Sequence, residues 1–198
     1  MARSPARRWW TSGSVAASLL MLGACSGERS ARLDAGDGRP ASTAEALESQ
    51  GTITETLAAD PTMTIMLANL RAAGMGEILS DKGPYTLFAP TNLAFSRLEP
   101  GTVEALRLPE RKPLLVRTIA LHVVPGEMSS NDLTNRIERS EEGSVVLKTA
   151  GGSPLTATLV DGHLTLTDAR GQSAILVTTD IPADNGVVHV IDRLMMPG

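Results

Sequence analysis

Three histidines, one cysteine and a scatter of serines and carboxylates are the groups through which this 198-residue chain can do chemistry. A histidine near neutral pH can act as a general base or ligate a metal, but either role needs a second group on the same face. His189 and Asp192 stand closest in sequence. The region alternates like a strand, and residues three apart in a strand point to opposite faces, so the pair does not converge. His189 instead shares a face with Val187 and Ile191, an apolar setting that predicts a buried histidine satisfied by hydrogen bonds. His163 alternates with Thr165 and Thr167, opposite Leu164 and Leu166, and so belongs to the wet face of a hairpin. His122 follows a helical segment and opens an extended one, which reads as a structural residue bonding backbone.

The other reactive types are equally isolated. Gly152-Ser153-Pro154 is no nucleophile elbow, since Pro154 forbids the helix an elbow runs into. Gly74-Met75-Gly76 is too short for a phosphate cradle and follows a helix rather than a strand. Asp132, Glu138, Glu141 and Glu142 lie in a polar stretch without EF-hand spacing, which reads as solvated surface. One cysteine excludes a disulfide framework and a cysteine-built zinc or iron–sulfur site. Aromatic residues are 3% of the chain and the net charge is −4, with no basic stripe, which speaks against nucleic acid. The residues therefore point to no cofactor, no metal and no catalytic centre.

Hydrophobic periodicity divides the chain in two. Thr52 caps a short helix through Ala59, Asp60-Pro61 ends it, and a second helix carries Met66, Leu67, Leu70 and Ala73 on one face up to Gly74. A strand over Tyr85–Ala89 stops at Pro90-Thr91-Asn92, which starts a helical turn. Further helices follow around Val103–Leu106 and from Pro113 through Ile119. From Ser144 the period becomes two. Leu155–Val160 and His163–Thr167 flank Asp161-Gly162, a type I′ hairpin signal, and Ala174–Thr179 and Val187–Met195 complete the strands. Helices first and mainly antiparallel strands second indicate an α+β domain.

Ahead of this domain lies a different composition. Residues 1–24 carry Arg3, Arg7 and Arg8, no acid, and a short apolar stretch from Val15 to Leu22, the pattern of a secretory signal. Leu22-Gly23-Ala24-Cys25 resembles the bacterial lipobox, which implies cleavage before Cys25 and acylation of its sulfur. Loss of the three arginines leaves 15 basic against 22 acidic residues, a net charge of −7. Residues 25–49 then form a tether of small and polar residues, with an end-to-end distance of roughly 25 Å. The expected location is the cell envelope, lipid-anchored on a periplasmic or extracellular face, with the export route left open.

Three ordered blocks identify a family resemblance. Thr86-Leu87-Phe88-Ala89-Pro90-Thr91-Asn92-Leu93-Ala94-Phe95 resembles the first signature block of the fasciclin domain. Leu121-His122-Val123-Val124-Pro125-Gly126 is similar to its second block and Asn185-Gly186-Val187-Val188-His189-Val190-Ile191-Asp192 to its last. The resemblance covers residues 50–198. It implies a β-wedge or sandwich with packed helices, and a binding module for protein, matrix or envelope polymer without enzymatic activity. It makes His122 a partner-binding candidate, although Leu121 stands where the family has tyrosine. Asp180 and Ile181 match a pair by which animal members engage integrins; in this chain the pair either meets a partner or only turns the chain into the last strand. An alternative function is carriage of a small apolar ligand in a groove lined by Met63, Met66, Met75, Met195 and Met196.

Overall fold

The computed structural model describes residues 51–80 and 83–198. The leader, Cys25 and the tether expected before them lie outside these residues. Thr52 opens the described chain as the cap of α1 (Ile53–Ala59): its hydroxyl accepts from the Glu55 N–H, and the Glu55 carboxylate returns to the Thr52 N–H at 2.7 Å. Pro61–Met63 form a 3₁₀ turn into α2 (Thr64–Ala73), which Gly74 ends in the left-handed conformation at φ 75°. Strand β1 (Tyr85–Pro90) leads to the short helices α3 (Asn92–Ser96), capped by the Thr91 hydroxyl, and α4 (Thr102–Leu106). Pro113 sits in the first turn of α5 (Lys112–Leu121), and β2 (Val123–Pro125) follows at once.

A sixth helix, α6 (Ser130–Arg139), occupies what reads in sequence as a solvated acidic stretch. Only Leu133 and Ile137 repeat at helical spacing, too little to register as a periodic signal, yet both are buried. Each contributes about 2 kcal/mol by leaving water. The Ser129-Asp132 capping box, with hydroxyl and carboxylate serving each other's backbone, fixes where the helix begins.

The strands β3 (Ser144–Lys148), β4 (Pro154–Val160), β5 (His163–Thr167), β6 (Ser173–Ala183) and β7 (Gly186–Ile191) complete a seven-stranded sheet in the order β2-β1-β7-β6-β5-β4-β3. Asp161 and Gly162 both have positive φ, so β4 and β5 meet in the type I′ hairpin expected of that pair. β1 and β7 are parallel and the remaining pairs antiparallel. Beyond β3 the Ala150 N–H donates to the Val123 carbonyl at 2.7 Å and the Gly151 N–H to that of Ala120 at 3.0 Å, which brings the two ends of the sheet together. Gly151 permits this contact, since a Cβ there would lie 3.0 Å from the Arg117 carbonyl oxygen.

β6 runs further than its sequence suggests. Pro182 does not end it, because the strand continues to Ala183 against β7, with register shifts between Leu176 and Thr178 and between Thr178 and Ile181. These are β-bulges, and the second holds Asp180 at φ 60°.

Two apolar clusters fill the interior. One joins α1, α2 and α5 to β1 and β7; the other joins α6 to β3–β6 around Phe88, Ile191 and Met195. Met63, Met66, Met75 and Met195 belong to these cores, and Met196 packs against one of them half-buried. The methionines do not line a groove. Met is unbranched and fills irregular gaps, and here it fills core.

Candidate functional site

The sequence-derived site residues fall in three places. Cys25 lies outside the described residues. His122 is wholly buried at the C-cap of α5, where the end of the helix turns its ring inward. Its Nδ1 lies 2.7 Å from the Thr118 carbonyl and its Nε2 accepts the Met195 N–H at 3.1 Å, so the proton sits on Nδ1 and the imidazole is neutral. Burial lowers its pKa to about 4, against the raising pull of the Thr118 carbonyl and the more distant Asp168 carboxylate. The expectation that His122 meets a partner is corrected: both ring nitrogens are spent on backbone inside the protein. Leu121 beside it is fully buried as well.

Asp180 and His189 come together at the other site, with a residue the sequence reading did not single out. Asp180 is exposed at the bulge of β6. Its carboxylate accepts the Ser130 N–H at 2.7 Å and the Ser130 hydroxyl, which ties the bulge to the first turn of α6. Its own N–H donates to His189 Nδ1 at 3.1 Å, and His189 Nε2 donates to the Met128 carbonyl at 2.8 Å. The His189 ring also stacks on Phe88, with centroids 5.5 Å apart and planes inclined by 24°.

This constellation contains a serine, an aspartate and a histidine, but the connectivity is wrong for a nucleophile. The serine hydroxyl donates to the carboxylate and not to the imidazole, and the imidazole has no free nitrogen to take a proton. Burial lowers the His189 pKa and outweighs the opposing pull of Met128 and Asp180, keeping the ring neutral. Burial pushes the Asp180 carboxyl up, yet the hydrogen bonds from Ser130 dominate and hold it below its usual value. A negative charge at the first turn of α6 also suits the helix dipole. The cluster is a clasp between a helix and a bulged strand.

Ile181 is half-buried and packs against the core shared by the helices. Its side chain is thus mostly committed to the interior, whereas Asp180 faces water. His163 lies exposed on the hairpin. Asp192 is engaged elsewhere, accepting from Arg97 at 2.8 Å and from the Ile175 N–H at 2.8 Å. Among the described residues no three His, Cys, Asp or Glu side chains converge as a metal site, and no helix is long and apolar enough to cross a membrane.

Two further polar groups build the frame. Asn185 is buried in the β6–β7 turn, where its Oδ1 accepts the Ile53 N–H at 2.9 Å and its Nδ2 donates to the Leu79 carbonyl at 2.6 Å. Asp168 gathers the N–H groups of Arg170, Gln172 and Met196. No sequence spacing signals the Asn185 clamp, because its partners lie far along the chain. Asp168 instead closes a local turn at Arg170 and Gln172 and reaches only Met196 at a distance. The Ser129-Asp132 capping box was the signal that could have placed Ser130.

Comparison with known proteins gives one consistent result. The fasciclin-domain family profile matches residues 61–197. Protein sll1483 of Synechocystis is 38% identical over 152 residues, covering 77% of each chain. Cell surface glycolipoprotein MPB83 of Mycobacterium bovis is 29% identical over 154 residues, covering 71% of this chain and 62% of MPB83. A solved domain pair from the insect cell adhesion molecule fasciclin I superposes with a TM-score of 0.65 at 19% identity, covering 74% of this chain. This chain spans 51% of that pair, and the likeness establishes the fold.

Proposed function

The chain belongs to the fasciclin-domain family, and on that premise we propose that it is a non-catalytic binding module for a protein or for a matrix or envelope polymer. The observation that carries this reading is the state of the buried histidines. Each spends both ring nitrogens on backbone, and the serine and carboxylate beside His189 serve each other. The polar chemistry of the domain is architectural, so its function falls to its surface. The solved relative is described as a cell adhesion molecule, which supports the same role here.

The finer reading places this module on a membrane. Cleavage before Cys25 and acylation of its sulfur anchor residues 25–49 as a tether, with the domain in the cell envelope on a periplasmic or extracellular face. The relative named as a cell surface glycolipoprotein supports that placement. Asp180, exposed at its bulge, is the site residue that remains available to a partner.

Native mass spectrometry of the protein gently extracted from its own envelope tests both levels. The expected mass is that of the chain without residues 1–24, plus acyl groups, plus a second macromolecule. An unmodified chain overturns the anchor, and a single bound metabolite in place of a macromolecule overturns the adhesion reading. Asp180→Asn tolerates the left-handed backbone and removes the charge. It should weaken partner capture, and unchanged capture removes Asp180 from the contact.

A further inference from the structure

Beside the Asp180 clasp the sheet opens. β5 pairs with β6 only as far as Ile175, while β6 runs on to Ala183, and α6 lies across the divergence. A cavity of about 410 Å³ occupies this opening. α6 contributes Ser130 and Glu138 to its wall, the β4–β5 hairpin contributes Leu159, His163 and Leu164, and β6 contributes Leu176. Leu176 is buried and Leu159 and Leu164 half-buried, whereas Glu138 and His163 are exposed. The wall is mixed: Leu176 lies deepest, Ser130, Thr134 and Thr179 are half-buried beside the other two leucines, and Glu138 and His163 lie outermost.

The charge of the opening is one-sided. No lysine or arginine lines it. Among the described residues neither Glu138 nor Asp180 has an ion-pair partner within 4 Å, the ion pairs being those of Asp192. Arg136, on the same helix as Glu138, turns its guanidinium to the Met128 sulfur at 3.6 Å. Asp180 adds a second carboxylate immediately behind Ser130. Three leucines along the wall with the Glu138 carboxylate at the rim complement a long aliphatic stem that ends in a cation.

We propose that this opening receives a lysine or arginine side chain of a protein partner. The stem lies over Leu159, Leu164 and Leu176 and the charge meets Glu138, with Asp180 reinforcing the local field. The assignment rests on the binding-module reading above and specifies the partner as one that presents a basic side chain. The acidic balance of the whole chain, 22 carboxylates against 18 basic residues, steers such a partner toward it.

The probe is a glycine-serine pentapeptide with a central lysine, titrated to millimolar concentration into the ¹⁵N-labelled full chain. Two matched peptides carry norleucine or glutamate at the centre. The lysine peptide should shift the amides of Leu159, His163, Leu164 and Thr179, and the norleucine and glutamate peptides should bind more weakly. Glu138→Gln should weaken the lysine peptide about fivefold, the reach of an exposed ion pair. Glu142→Gln removes the same charge from an exposed position just past the helix and should change affinity by less than about twofold. Equal losses in the two variants, equal binding of norleucine, shifts elsewhere or no binding would each overturn the assignment. If native mass spectrometry still finds a partner in those cases, the binding module stands and only its basic contact is lost.

Discussion

Lowering the pH from 7 to 4 tests the strongest electrostatic statement in the structure. His122 is wholly buried, with its two nitrogens fitted to a carbonyl and an N–H. A proton on Nε2 would destroy the bond from Met195 and leave a charge without water. Burial accordingly lowers its pKa from 6.5 to about 4. In the unfolded chain the same imidazole takes up its proton at the ordinary value. Between those two values the unfolded state binds a proton that the folded state refuses, so stability must fall as the pH falls. The linkage integral down to pH 4 gives a loss of about 3 kcal/mol. That is a large share of a typical domain's stability of about 5–15 kcal/mol.

Urea unfolding of the wild type and His122→Gln at pH 7, 5.5 and 4 measures the effect. The variant should be less stable at pH 7, because glutamine fits the two backbone groups imperfectly, but its stability should fall much less with pH. His189, also lowered by burial, acts in the same direction and persists in both proteins. Asp132 and Asp180 have lowered values, so they begin to withdraw their contributions as the pH reaches the ordinary carboxylate value, and they do so in both proteins. The difference between the two proteins therefore isolates His122. Parallel pH dependences would refute the reasoning.

Two further outcomes follow from single buried groups. Thr118 Oγ1 is buried without a hydrogen-bond partner, so Thr118→Val, which keeps the shape and removes the hydroxyl, should stabilise the domain by about 1 kcal/mol in chemical denaturation; a loss of stability would show that the hydroxyl has a use. Asn185→Ala strands the Ile53 N–H and the Leu79 carbonyl. It should cost about 2–3 kcal/mol and raise hydrogen exchange in α1 first, whereas an unchanged melting point would show that α1 does not depend on the clamp.

Most of the architecture was legible because it is written in local signals. Thr52, Thr91 and Gly74 mark helix ends, Asp161-Gly162 marks a hairpin, and the shift from a period of 3.6 to 2 separates helices from strands. Those devices act within a few residues, so the chain states them wherever it runs. The separation of His189 from Asp192 was legible for the same reason, since alternation along a strand sends the two to opposite faces.

What eluded the sequence depends on partners distant in the chain. α6 has two buried residues and takes its stability from β3 and β4, so its local pattern looked like a solvated acidic run. His122 read from its own position as a structural residue bonding backbone and became a partner candidate only by family likeness; the inward turn at the end of α5 decides its burial. Asp180 looked like a free carboxylate in a turn. A bulge in β6 and Ser130, fifty residues away, make it a clasp. Caps, turns and periodicity were thus determined by the sequence itself. Which polar groups face water and which are consumed holding the fold together was decided only when the two ends of the sheet closed over them, since burial and hydrogen-bond partnership belong to the packed chain.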